Sequence, residues 1–593
     1  MGRASLFRRL ASAPALRRSV PPRWFLATAL AFVVLAFLIY GQSGPDDVYI
    51  TYWPARALAE HGRIWNYNGV RLEQSSSLSL VIVLAILYRL TPFSMPVVAF
   101  LTSLGFGVWA LWLSERIARR LELRPAWAAI PVIATVACFG SWTTSGMEMP
   151  LVGAAGLLMA LRLDDLRTSA GWRPALKAAL AVLFFAASRP ESPIIAAAVG
   201  LAVTGALLSA RAAGPEDAPR RRLLAAGRIV LTVASALALL LAFRRLYFHA
   251  WIPNSAAMKV GGFDRREGFA YLWDSLALNG FGLGALALVG AAGLAWMLVR
   301  RRPGTFLLAA IGAEMIGHLG FVVGSGGDWM SGCRFLAPAI PTVVILGLTA
   351  ASRLLNGGSV RGLAVVLACA NLFSIVQFVR ASGNDGRPGF LVLRAMYRFR
   401  KQFGPTRVTP IELANKVHQR DAATLGNFLP VVARAVAASP DRPIWVITGQ
   451  AGLMPYYLMS TYFGRAKLLD FWSITTRELY DCLPAGSAPG SKAGSSIGLG
   501  QYLDAMPGLE ARCGLPRPDF FYNECLSDGD RQLLASHGYR VLYNQVGSVR
   551  DIDDSALLPA QIGACGYFAV RADLAQKLGL GPERVVVWDS DPR

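Results

Sequence analysis

Residues 24–47 read WFLATALAFVVLAFLIYGQSGPDD. The run from Trp24 to Tyr40 carries no charge and is just long enough to cross a bilayer as a helix, which takes roughly 17–25 residues. Gly41, Gly44 and Pro45 then break the helical pattern, and two carboxylates, Asp46 and Asp47, follow at once. A basic stretch containing Arg8, Arg9, Arg17, Arg18 and Arg23 precedes the run, as in a secretory signal. No small-residue cleavage site follows it, so the run is expected to stay as a first span.

The same sequence of basic flank, apolar run and polar loop recurs along the 593 residues. The composition is 54% hydrophobic and 16% charged, with a mean hydropathy of +0.42, which excludes an ordinary soluble globule. A net charge of +22 would suit nucleic acid, but the arginines cluster between apolar runs, at 116–124, 211–222, 300–302 and 353–361. That spacing is the positive-inside pattern of a multi-pass membrane protein and not a nucleic-acid footprint.

With the arginine clusters as cytoplasmic markers, further spans are expected at 95–113, 127–143, 148–163, 175–189, 192–209, 225–246, 278–298, 304–323, 335–352 and 362–380. The expectation is therefore a polytopic α-helical membrane protein of about 11 spans. Its basic N-terminus, 1–23, is cytoplasmic, its membrane domain covers 24–380, and an extracytoplasmic α/β domain covers 381–593. The run 78–90 is too short for a span and would invert every later loop, so it is expected to be re-entrant or half-inserted. Outside the membrane then lie 41–77, 141–147, 188–193, 247–277, 324–334 and the C-terminal domain.

In that domain, strands are expected at 443–448, 467–471, 539–543 and 567–570, a helix at 422–438, and a flexible Gly/Ser/Ala-rich loop at 485–500. Cys482, Cys513, Cys525 and Cys565 lie there and allow two disulfides of open pairing. Cys138, Cys369 and His318 fall inside expected spans and read as packed core residues. There is no internal repeat, no polar group at a broken midplane helix of the kind transporters use, no metal-binding His pair and no phosphate-binding glycine loop. Cytoplasmic loops are too short to fold a nucleotide-sugar domain, so an activated donor would have to arrive through a membrane lipid.

The chemistry-capable side chains gather on the outer side. Asp46 and Asp47 sit at the outer interface, where a carboxylate can take the proton of an attacking hydroxyl, bind a divalent cation, or simply cap the next helix. Glu148 marks one hairpin tip, and Arg189 with Glu191 another. Asn254, Lys259, Asp328, Trp329 and Arg334 follow in later loops. Arg and Lys there can grip a lipid phosphate or snorkel at the interface. Trp142, Trp251 and Trp329 can stack on sugars or form the interfacial belt.

These motifs together are familiar: Asp46, Asp47, Val48, Tyr49 and Ile50, then Arg56, Ala57 and Leu58, then His61, Gly62, Trp65, Asn66, Gly69, Leu72 and Glu73. They resemble the first outer loop of the polyprenyl-phosphate-sugar-dependent GT-C membrane glycosyltransferases, nearest to the terminal arabinofuranosyltransferase B group of the mycobacterial cell envelope. The likeness continues through Ser145, Gly146 and Glu148, Arg189, Pro190 and Glu191, Pro253, Asn254 and Lys259, the 326–335 stretch, and Ala451 to Tyr456.

The resemblance implies an inverting transfer of arabinofuranose from a decaprenyl-type phosphate to a cell-envelope glycan, in a bacterial inner membrane. Asp46 would be the base and Asp47 its support or a cation ligand. Arg189, Lys259 and Arg334 would face the donor phosphate, and Arg56, Glu73, Glu148, Glu191, Asn254, Asp328 and Trp329 would line the substrate. The chain departs from the group at Gln74 to Ser77, where Gly and Thr are expected, and at Trp53, where a basic residue is expected. A lipid-linked-sugar flippase and a transferase using a mannose or aminosugar donor are the alternatives.

Overall fold

The computed structural model describes residues 23–40, 46–169, 171–209, 219–259, 265–279, 282–300, 305–328, 333–380, 411–482, 499–524, 527–548 and 566–589. Trp329, Cys525, Cys565, most of the 485–500 loop and the Lys259 side chain lie outside the described residues.

Every expected span falls on a helix, from Arg23–Tyr40 through Met95–Arg120, Met149–Thr168, Trp172–Ala186 and Ser192–Ser209 to Pro219–Tyr247. The series continues with Gly282–Arg300, Thr305–Gly324, Ile340–Ser352 and Gly357–Arg380. Among the described residues five helices are long and apolar enough to cross a membrane, or six with one bent pair counted as a span. The outer loop expected at 247–277 holds two further helices, Asn254–Lys259 and Arg265–Leu278.

Two features differ from a row of straight spans. The expected span 127–143 is broken into Ala126–Ala134 and Ala137–Thr143, which meet at 74°. The Asn371 side chain donates to the Val132 carbonyl at 3.1 Å and to Thr135 Oγ1 at 3.3 Å, so the break keeps hydrogen-bond partners at membrane depth. The second feature is Glu314, halfway along the 20-residue Thr305–Gly324 helix and fully buried. Neither carboxylate oxygen has a hydrogen-bond partner, and a Cβ on Gly156 would lie 1.9 Å from Oε1, so only glycine leaves room for it. The sequence reading expected neither a polar group at a broken midplane helix nor an internal repeat; one expected span is in fact broken, and the unpartnered Glu314 lies on a different helix. His318, one turn on, is buried but its Nε2 is also unpartnered, so it is not the satisfied core residue expected. Cys138 is buried as expected, whereas Cys369 is exposed.

Leu78–Leu90 forms a helix of 13 residues, about 20 Å at 1.5 Å per residue and short of a bilayer core of about 30 Å. Ser77 caps it by accepting from Leu80 N. Ser79 N donates to the Ala187 carbonyl and Ser79 Oγ to the Phe184 carbonyl, which fixes its start at the end of the Trp172–Ala186 helix. Ile82, Ile86 and Leu90, four residues apart, are exposed as an apolar stripe, while Leu80, Val81, Leu84 and Ala85 are buried. The length and the one exposed apolar stripe are those expected of an interfacial helix.

The C-terminal domain holds a six-stranded sheet of order β2-β1-β3-β5-β4-β6. The strands are β1 (Ile444–Thr448), β2 (Ala466–Asp470), β3 (Phe520–Glu524), β4 (Tyr539–Ser548), β5 (Gly566–Arg571) and β6 (Arg584–Asp589). β1 runs parallel to β2 and β3, β4 parallel to β6, and β5 antiparallel to β3 and β4. Alternate residues of β3 face opposite ways. Phe520 and Tyr522 meet Phe428 of the Ile411–Ala438 helix, and Phe521 meets Tyr502 and Tyr539 on the other side. Of the four cysteines expected to bridge, Cys482 and Cys513 are joined.

The first outer loop is pinned to the membrane domain by one ion pair. Arg244, in the last turn of Pro219–Tyr247, donates from Nε and Nη2 to the two Glu73 oxygens at 2.9 and 3.0 Å, both side chains being almost wholly buried. Burial raises the Glu73 carboxyl above its ordinary value, and Arg244 opposes that rise. Because removing one partner strands a buried charge, Arg244→Met should cost about 3–5 kcal/mol, whereas Glu73→Gln/Arg244→Met should recover more than half of the loss. Thermal unfolding of the detergent-solubilised variants measures both.

Candidate active site

Asp46 and Asp47 lie at the start of the Val48–His61 helix, whose backbone begins by donating from Tyr49 N to the Asp46 carbonyl. The capping alternative does not describe Asp47: it occupies the N-cap position, but its side chain makes no cap bond. Instead Asp47 Oδ2 accepts from Arg334 Nη1 at 3.2 Å, and Arg334 holds Asp328 through a two-pronged contact at 2.6 and 2.7 Å. Two residues 287 positions apart are thereby joined at one end of the bundle.

Asp46 faces the C-terminal domain. Its Oδ1 accepts from Leu453 N at 2.5 Å, at the first residue of the Leu453–Tyr462 helix, where unpaired amides and the helix dipole favour a carboxylate. The approach is so close that a Cβ on Gly452 would fall 1.8 Å from the Asp46 carbonyl oxygen. Tyr67 braces the junction, its hydroxyl within hydrogen-bond distance of the Tyr49 and Gly452 carbonyls.

A second guanidinium lies beside the first. Arg189 donates to Glu191 at 2.5 Å and to Glu148 at 2.6 Å, and Glu148 also accepts from Ser76. The guanidiniums of Arg189 and Arg334 stand 4.9 and 5.0 Å from the centre of the Phe335 ring, so cation–π contact to one aromatic holds both. Asp328, Glu148, Glu191, Arg189 and Arg334 are all buried. Tyr271 supports the 326–335 stretch: its hydroxyl accepts from Phe335 N, and its ring leaves no space for a Cβ on Gly327, whose φ is +83°.

The structure thus gathers Asp46, Asp47, Glu148, Arg189, Glu191, Asp328 and Arg334. It places other sequence candidates elsewhere. Glu73 is committed to Arg244, and Arg56 pairs with Glu60 at 2.7 Å and meets Tyr456, whose hydroxyl burial pushes up to about 12 despite that guanidinium. Asn254 donates to the Ser473 and Ile474 carbonyls, tying the membrane domain to the outer one. Trp142 is buried, and Trp251 is exposed. Trp53 and Gln74, the departures in the first loop, are buried in it: Trp53 donates to the Asn66 carbonyl and Gln74 to the Ile50 carbonyl.

Sequence reasoning missed Arg244, Phe335, Tyr271, Ser76 and the Leu453 amide. Arg244 carried a legible signal, since a cation at the end of an apolar helix expected to face outward runs against the positive-inside bias. Among the described residues no group of three or more metal-ligating side chains gathers. Asp46 and Asp47 are hard-oxygen donors of the kind divalent cations prefer, so a cation held there would draw further ligands from substrate and water.

Neither a sequence-family profile nor any curated protein matches this chain. Among solved structures it is similar to the oligosaccharyltransferase AglB from Archaeoglobus fulgidus, in complex with an inhibitory peptide and a dolichol-phosphate, at 13% identity and a TM-score of 0.49, over 85% of this chain and 69% of that one. It is similar to ArnT from Cupriavidus metallidurans bound to undecaprenyl phosphate, at 14% identity and a TM-score of 0.49, over 94% and 99% of the two chains. It is also similar to the arabinofuranosyltransferase AftD from Mycobacteria, at 16% identity and a TM-score of 0.47, over 93% of this chain and 40% of that one.

Proposed function

We propose that this chain is an inverting glycosyltransferase of a bacterial inner membrane. In our reading it moves a sugar, arabinofuranose on the sequence resemblance, from a polyprenyl-phosphate donor to a glycan acceptor outside the cytoplasm. The observation that carries the reading is the placement of adjacent Asp46 and Asp47, one on the outer domain's Leu453 amide and the other on Arg334. A base, a phosphate-gripping cation and a surface for an acceptor then meet at one point.

In this reaction the acceptor hydroxyl oxygen attacks the anomeric carbon as the bond from that carbon to the phosphate oxygen breaks. The hydroxyl proton passes to Asp46, and the bonding electrons leave with the lipid phosphate. Arg334 and Arg189, with Lys259 on the sequence resemblance, stabilise the charge that develops on the phosphate, an effect strengthened where water is excluded. The Leu453 amide holds the Asp46 carboxylate in one orientation, and the outer domain covers the cleft and holds the acceptor. Donor identity is the finer point: a panel of lipid-phosphate arabinose, mannose and aminosugar tested against one acceptor extract separates the sugars.

A second reading, a lipid-linked-sugar flippase, draws on the 74° break and on Glu314 at midhelix, both features of transport pathways. Uptake of a lipid-linked sugar into vesicles without transfer would favour it.

Two variants test the transferase. Asp46→Asn keeps the size of the side chain and removes the base, so turnover should fall by roughly 10²–10⁴-fold with the fold intact; unchanged turnover removes Asp46 from that role. Gly452→Ala should push the Leu453–Tyr462 helix off Asp46 and lower kcat at least about tenfold with little change in donor KM, the pattern expected when geometry at the reacting centre is lost.

A further inference from the structure

Three arginines at the outer rim stand apart from the candidate active site. Arg63 and Arg71 belong to the first outer loop and Arg245 to the last turn of Pro219–Tyr247, and all three are exposed. They share one neighbourhood: Ile64 N donates to the Tyr247 hydroxyl at 3.0 Å, the Arg71 guanidinium lies 5.3 Å from the Tyr247 ring centre, and Arg63 lies 5.5 Å from that of Trp65. Arg245 lies 5.9 Å from the Trp251 ring centre and donates to the His249 carbonyl. Arg189, Arg244 and Arg334 each pair with carboxylates; among the described residues none of these three does. The exposed acid nearby on the Val48–His61 helix, Glu60, is engaged by Arg56.

We propose that Arg63, Arg71 and Arg245 form a surface that binds the phosphate headgroups of anionic phospholipids in the outer leaflet. Arginine in short outer loops opposes the positive-inside bias, so topology does not account for these three. A guanidinium in cation–π contact with a ring still has N–H groups to offer to phosphate oxygens. The rim beside it is apolar and open: Leu246 is 77% exposed, Trp251 58%, Val70 52% and Ile252 49%. Cations directly above exposed hydrocarbon-seeking side chains match a lipid, whose phosphate and acyl chains are joined, better than a soluble polyanion, which has no use for the apolar rim. The proposal rests on the reading that this end of the bundle faces outward, and it is independent of the transfer chemistry.

The test uses the full chain purified from vesicles of phosphatidylcholine containing phosphatidylglycerol, with retained lipids measured by native mass spectrometry. Wild type should retain phosphatidylglycerol at least about tenfold above its bulk share, and Arg63→Gln/Arg71→Gln/Arg245→Gln should fall to the bulk share. The same triple change to Lys keeps the charge and should retain an intermediate preference. If the Gln triple does not fold, Arg245→Gln alone decides, and a preference equal to wild type overturns the proposal. It is equally overturned if the Gln triple keeps its phosphatidylglycerol, if it loses only added polyprenyl phosphate, or if it loses binding to soluble polyphosphate while lipid retention stands.

Discussion

Two guanidiniums and three carboxylates buried together at one end of the helix bundle, with the half-buried Asp47 beside them, constrain everything around them. An ion taken out of water costs several kcal/mol unless it is paired and hydrogen-bonded, so each of these groups must find a partner of opposite charge. The partners are distant in the chain: Glu148 and Arg189 come from two hairpin tips, and Asp47 and Arg334 from the first and last outer segments of the membrane domain. The bundle must therefore bring four segments to one place before any of them is stable there. Phe335, between both guanidiniums, and Gly327, pressed against Tyr271, fix the last of those segments.

The outer domain is held by the same loop that carries the acids. Asn68 offers its side-chain amide to the exposed edge of β2, donating to the Leu468 carbonyl and accepting from Leu468 N, both at 2.8 Å. It acts as a one-residue strand that closes a sheet edge otherwise open to pairing. Asn66 donates to Thr475 and Asn254 to Ser473 and Ile474, so three asparagines tie β2 and the loop after it to the membrane domain. Asp46 hangs from this joint through Leu453 N. A shift of the outer domain is then also a shift of Asp46.

What could be read from the sequence was what local physics writes there. Apolar length and flanking arginines mark helices one at a time, and every expected span falls on one. Four strands were legible from their β-branched and aromatic runs. β3 and β6 carry runs of the same kind, Phe520 to Tyr522 and Val585 to Trp588, yet were not among the expected strands. The break at 135–136 was invisible because its remedy, Asn371, lies 239 residues from the carbonyl it serves. The candidate acids and arginines were legible as a set, but their pairing was not. Composition cannot say that Glu73 belongs to Arg244 or that the conspicuous Ala451 to Tyr456 segment ends on Asp46.

Among the described residues the acids of the site outnumber its arginines, and that excess bears on how a donor would bind. Asp47, Asp328, Glu148 and Glu191 face Arg189 and Arg334, and Asp46 adds another carboxylate. On the reading proposed above, an incoming phosphate adds still more negative charge, so it can enter only where a guanidinium changes partner. Arg334 is placed for that exchange: its contacts to Asp328 are 2.6 and 2.7 Å, whereas its contact to Asp47 is 3.2 Å. A phosphate oxygen replacing Asp47 leaves the Arg334 fork on Asp328 and the site assembled. Donor binding would in this way be linked to the acid pair through a single arginine.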